Sequence, residues 1–124
     1  MRVRVRASLV SLSAAIEVVT GFALIIRPSA LAWLLLGTDL SEAGQAIGRL
    51  AGLALLALGW ACWPSKEPVK DSAPPLPLLT YNVLIAIYLA YLGAFEELRG
   101  MLLWPAVALH TGLSIMLVRA RFLS

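Results

Sequence analysis

Between Ala7 and Ile26 the chain carries one charge, Glu17, in an otherwise apolar run, and three further charge-poor runs follow at 43–63, 76–95 and 101–118. At 1.5 Å per residue, about 20 helical residues cover about 30 Å, the thickness of a bilayer's hydrocarbon core. Within that layer the backbone must satisfy its own hydrogen bonds, which leaves helices or closed barrels as the available folds. The runs are unbroken rather than alternating, so the reading is all-α. Composition agrees, with 14% charged residues where soluble domains carry about 25%. The sequence therefore predicts one integral membrane domain over 1–124, a four-transmembrane-helix bundle.

The N-terminus, MRVRVR before an apolar run, has the outline of a secretory signal peptide, with Ala30-Leu31-Ala32 as a small-x-small pattern. A signal peptide's apolar region is only about 7–15 residues long, and this run exceeds it. The first segment is accordingly read as a retained helix. Its Ser13, Glu17 and Gly21 recur every fourth residue and form a polar stripe that must face protein or water. Arg27-Pro28 ends the span, because proline restricts the residue before it and arginine belongs at the membrane interface.

Residues 29–36, with Trp33, are apolar but too short to cross, and are read as a short interfacial helix between spans 1 and 2 in preference to a re-entrant segment. Asp39, three residues before Glu42, is placed to cap the second span in the manner of a capping box. In that span Gly44, Gly48 and Gly52 share a helix face, which lets a neighbouring backbone approach closely. Arg49 lies about a turn inside and can snorkel to the headgroups, a reading preferred over a ligand-binding arginine. Trp60 and Trp63 mark the opposite interface. Pro64 to Pro75 reads as a polar, proline-rich loop. The third span places Asn82, Ala86, Ala90 and Ala94 on one face and Tyr81, Tyr88 and Tyr91 on the adjacent one. The fourth holds His110 near its middle.

The net charge of +3 sits at the ends of the apolar runs and not in a patch interleaved with aromatics, so no nucleic-acid partner is expected. Arg2, Arg4, Arg6, Lys66, Lys70, Arg119 and Arg121 flank one side, and Arg27, Arg49 and Arg99 the other. By the positive-inside rule both termini are cytoplasmic, in a bacterial inner membrane. The lone Cys62 forms no intrachain disulfide, and no zinc-ligand spacing, phosphate-cradling loop, nucleophile elbow or paired carboxylates occur, so neither a metal site nor an enzyme is expected.

Glu17 is the residue whose burial demands an explanation, since a charged group at the centre of a spanning helix costs roughly 2.5–3.5 kcal/mol on insertion scales. Two readings stay open: a hydrogen-bonded glutamate that ties helices together, or a ligand or proton site with His110, Asn82 and Tyr81 as neighbours. Arg49 is a poor partner, because its Cα lies roughly 10 Å from that of Glu17 in depth and the two side chains lean apart. A single histidine supplies one axial haem ligand only, so no cofactor is named.

Arg49-Leu50-Ala51-Gly52, continuing to Leu55-Leu56-Ala57-Leu58-Gly59, in a chain with four spans, resembles the small bacterial DoxX-like membrane proteins. That resemblance implies a four-helix bundle with an accessory role, in some cases linked to membrane redox or quinone systems. Ile16-Glu17-Val18 with Gly21 looks similar to the first span of the small multidrug-resistance transporters. The third span here lacks that family's glycine-rich kink, and the second is a glycine ladder where that family has an aromatic substrate wall. The expectation is thus a small inner-membrane accessory or ligand-binding protein, taking a quinone or lipid near Glu17. The alternative is a proton-coupled small-molecule transporter working as an oligomer, with Glu17 as its proton site. Partners are the bilayer and either further copies of the chain or a membrane complex. Reporter fusions placed after Arg121 and within Lys66 to Asp71 are expected to report cytoplasm, and a periplasmic signal from either would overturn the orientation.

Overall fold

A computed structural model describes residues 2–64 and 73–123. It is all-helical, with five helices and, among the described residues, no strand: α1 (Arg2–Ile26), α2 (Pro28–Leu36), α3 (Glu42–Ala61), α4 (Leu76–Phe95) and α5 (Leu103–Phe122). By length and composition α1, α3, α4 and α5 are each sufficient to cross a membrane. The short helix expected after Arg27 is α2. Most of the Pro64–Pro75 stretch, Lys66 and Lys70 included, lies outside the described residues.

Local chemistry sets the ends of these helices. Pro28 stands in the first turn of α2, where its missing amide hydrogen costs nothing. Gly37 ends that helix at φ 69° with its amide donating to the Trp33 carbonyl, a left-handed cap that a Cβ would strain. The cap of α3 differs from the expected one. Ser41, not Asp39, is the N-cap, and its Oγ accepts from the Gly44 amide at 3.0 Å. A capping oxygen must sit within three residues of the amide it takes up, so with the helix starting at Glu42 it is Ser41 that has the reach.

The helices pack as two antiparallel hairpins, α1 with α3 and α4 with α5. In the first, backbone meets backbone. A Cβ at Gly21 would lie 2.7 Å from the Gly52 carbonyl oxygen, and one at Gly52 would lie 2.6 Å from that of Gly21. Two turns along, a Cβ at Gly59 would meet the Ala14 carbonyl at 2.8 Å. Apolar side chains gain little by hiding from lipid, so close contact of this kind is what holds such helices together. The other two glycines of the ladder are placed differently: Gly48 lies against Pro28 of α2, and Gly44 against Leu40 and Ser41 of its own N-terminal turn.

The second hairpin closes by hydrogen bonds at its ends. Arg121 Nη1 donates to the Pro74 carbonyl at 2.5 Å and Arg99 Nε to that of Gly93 at 2.5 Å. The α4–α5 connection also reaches the first half of the chain, where the amides of Gly100 and Leu102 donate to the carbonyls of Leu35 and Leu34 at 2.9 and 2.8 Å. These bonds put the end of α2 and the end of α4 on the same side. At the other side Leu9, Val10, Cys62, Leu78, Leu79, Leu113 and Leu117 form an apolar cluster drawn from both hairpins.

Gly52→Leu should therefore unfold the protein at a lower temperature in detergent, since overpacking costs about 1–3 kcal/mol even where the backbone can shift. Gly112 is the matched control: a Cβ there meets nothing within 4 Å, and Gly112→Ala should leave the melting temperature unchanged or raise it, a helical alanine being favoured by up to about 1 kcal/mol. Equal behaviour of the two variants would refute the close contact.

Candidate functional site

Polar side chains buried in this chain gather where the two hairpins meet. Ser13 and Glu17 of α1, Asn82 of α4, and His110 and Ser114 of α5 are all buried. Their positions follow from helical spacing. Ser13 and Glu17 are one turn apart and face α4 together, whereas each further step of four residues rotates the direction by about 40°, so Gly21 has turned toward α3. The stripe expected on α1 is thus divided between two neighbours.

Asn82 organises the seam. Its Nδ2 donates both to the Leu78 carbonyl at 2.8 Å and to Ser13 Oγ at 2.9 Å, and its Oδ1 lies 2.8 Å from His110 Nδ1. A backbone carbonyl only accepts, which fixes the amide orientation, and an amide oxygen only accepts, which places a hydrogen on His110 Nδ1. In its neutral form His110 therefore has its lone pair on Nε2. Ser114 Oγ turns back to the His110 carbonyl at 2.6 Å, closing a backbone acceptor within its own helix. The Tyr81 ring meets the imidazole edge-on, with centroids 6.1 Å apart at 83°.

Glu17 stands apart from this network. Its side chain is fully buried (0% exposed), and neither carboxylate oxygen makes a hydrogen bond of acceptable geometry among the described residues. The Tyr81 phenol is near enough to act on it electrostatically. Asn82, a partner suggested for Glu17 by depth, is occupied by Ser13 and His110. Arg49 is bonded elsewhere, with Nε donating to the Ile25 carbonyl at 3.2 Å. A buried polar atom without a partner costs about 1–3 kcal/mol, and more when charged. Two such atoms on one side chain are out of keeping with a seam whose other members are satisfied.

Trp60 and Trp63, assigned to an interface, are both exposed. Ser114 was not singled out in the sequence, where a serine four residues after a histidine carries no signal beyond helical spacing. Among the described residues no group of three or more His, Cys, Asp or Glu side chains is placed to hold a metal ion. No family model, curated protein or solved structure matches the chain.

The Asn82 network makes a spectroscopic prediction. In protein labelled with ¹⁵N-histidine and held above the imidazole's titration range, Nδ1 should resonate as the protonated nitrogen and Nε2 as the bare one. The opposite assignment would dissolve the Asn82–His110 bond. Asn82→Leu should destabilise by about 1–3 kcal/mol, because it strands a donor on His110 as well as losing the bond to Ser13. An average interhelical hydrogen bond in a membrane contributes only about 0.6 kcal/mol, so a loss that small would mean the two partners find replacements.

Proposed function

We propose that the chain is a four-span helical protein of the bacterial inner membrane, with both termini cytoplasmic, that acts as a small accessory or ligand-binding protein through Glu17. The ligand class is an apolar molecule with a hydrogen-bonding head, a quinone or a lipid. Support for the membrane placement comes from four helices of spanning length and apolarity and from the bias of basic residues toward one side. On this reading α2, with Trp33 exposed, lies in the interface, joined to the α4–α5 connection. The expected likeness to the DoxX-like proteins fits the same role.

The observation that carries the ligand site is the pair of Glu17 oxygens, buried and without hydrogen-bond partners. An intramembrane carboxyl group is expensive and is retained where it pairs, moves a proton or meets a ligand. Here the nearby Arg49 is turned away and the Asn82 network is complete without it. What Glu17 and Tyr81 offer together is a carboxyl and a phenol in an apolar seam, suited to a carbonyl or hydroxyl on an otherwise apolar molecule. A proton-coupled transporter built from several copies would need Glu17 in a shared, watered cavity. Its burial within a single copy favours local binding.

Mass spectrometry of organic extracts from protein purified in mild detergent tests this. Wild-type protein is expected to carry a quinone or lipid near one per chain. Glu17→Leu should lose it, and Glu17→Gln should weaken retention about tenfold or more, the scale of losing a hydrogen bond worth about 1.5–3 kcal/mol. If the wild-type extract holds no such molecule, or Glu17→Leu retains it in full, the ligand reading fails. If Glu17→Gln binds normally and yet abolishes pH-driven uptake in vesicles, the transporter reading replaces it.

A further inference from the structure

At the junction of α1 and α2, two cationic side chains are brought together by contacts that have nothing to do with Glu17. Arg27 is the residue on which the chain turns from α1 into α2, its backbone at φ −141° and ψ 75°. Arg49 arrives from α3. Its neighbour Gly48 is pressed against Pro28 so closely that a Cβ on Gly48 would lie 2.9 Å from the Pro28 Cβ. Arg49 Nε then donates to the carbonyl of Ile25, two residues before Arg27, at 3.2 Å. That bond holds the guanidinium by one nitrogen and leaves its two terminal nitrogens for another partner.

Both arginines are exposed. Among the described residues neither has an ion pair, although Asp39 and Glu42 lie in the following turn and helix start. Two like charges placed within a turn of one another, one of them immobilised, repel unless an anion joins them. The other arginines with a described bond on this side and the opposite one, Arg99 and Arg121, are used within their own hairpin. Arg27 and Arg49 are instead directed to the surroundings, beside the exposed Trp33 of α2.

We propose that Arg27 and Arg49 form a binding site for one phosphate group at the membrane surface beside α2. A guanidinium fork matches phosphate oxygens in pairs, and a second guanidinium raises the selectivity for anion over neutral polar groups. The phosphate comes either from a phospholipid headgroup or free from solution. The lipid source rests on the membrane-spanning reading given above, whereas the recognition chemistry does not.

Native mass spectrometry of the full chain in a non-ionic detergent decides between these. Dioleoyl phosphatidylglycerol, dioleoylglycerol (which lacks the phosphate) and inorganic phosphate are titrated against wild-type, Arg27→Gln, Arg49→Gln and Arg49→Lys proteins. A basic side chain near a membrane surface contributes on the order of a fivefold gain in binding an anionic lipid. Each glutamine variant should therefore bind phosphatidylglycerol about fivefold more weakly, with the two effects multiplying in the double variant. Arg49→Lys should retain part of the affinity, and dioleoylglycerol should not respond to any substitution. Displacement of the lipid by millimolar inorganic phosphate would assign recognition to the phosphate group wherever it comes from. Its failure to displace would assign the site to the headgroup.

Should Arg49→Gln lower the melting temperature through loss of the Ile25 bond, Arg27→Gln, whose side chain has no such bond, decides alone. Unchanged phosphatidylglycerol binding in a normally folded Arg27→Gln protein overturns the proposal. That result is independent of whether extracts carry a ligand dependent on Glu17, so the two readings fail separately.

Discussion

The contact of Gly21 with Gly52 is the constraint from which the rest of the structure follows. With each backbone standing where the other's Cβ would be, α1 and α3 cannot be rotated or slid without a clash or a gap. In lipid there is no hydrophobic penalty for separating apolar helices, so the gain from such contact is dispersion, which falls off within a fraction of an ångström. Fixing the first hairpin in this way also fixes the direction of the opposite face of α1. Ser13 and Glu17 are thereby turned toward α4 and α5.

The seam between the hairpins is held by other means. Asn82 exchanges hydrogen bonds with Ser13 of one hairpin and His110 of the other, so a single amide specifies how the two halves register. Apolar surfaces alone slide easily over one another, while a three-partner amide accepts one arrangement. Specificity of this sort comes with a cost when a member of the seam is unsatisfied, and Glu17 is that member. Its position one turn from Ser13 means that whatever binds at the carboxyl group also bears on the register of the hairpins.

Much of the fold could be read from the sequence because length and the absence of charge leave a spanning segment few alternatives. The short helix at Pro28 was legible for the same reason, being apolar and too short. The helix pairing was legible only in part. The ladder Gly44, Gly48, Gly52 was conspicuous at every fourth residue, but the contact with α1 uses Gly52 and Gly59, seven apart, against Gly21 and Ala14, also seven apart. Two helices crossing at a shallow angle meet again after two turns, which is a seven-residue spacing. Glu17 stood out because a charge in an apolar run is conspicuous. The roles of Ser13 and Ser114 were not separable from the ordinary occurrence of serine, since a hydrogen bond across helices has no signature along one of them. The cap at Ser41 escaped because Asp39 satisfied the spacing rule to Glu42, while the true first turn began later.

The bonds from Gly100 and Leu102 to the carbonyls of Leu35 and Leu34 have a consequence for the order in which the protein is made. The end of α2 emerges from the ribosome more than sixty residues before the amides that complete it. Through the synthesis of α3 and α4 those carbonyls have to be served by water, which keeps α2 at the wet boundary of the bilayer and out of its interior. The last connection to be translated then replaces that water and locks the first half to the second. A ribosome-stalled chain ending within α4 would hold α2 hydrated, and maturation of its outer surface would wait on the arrival of Gly100.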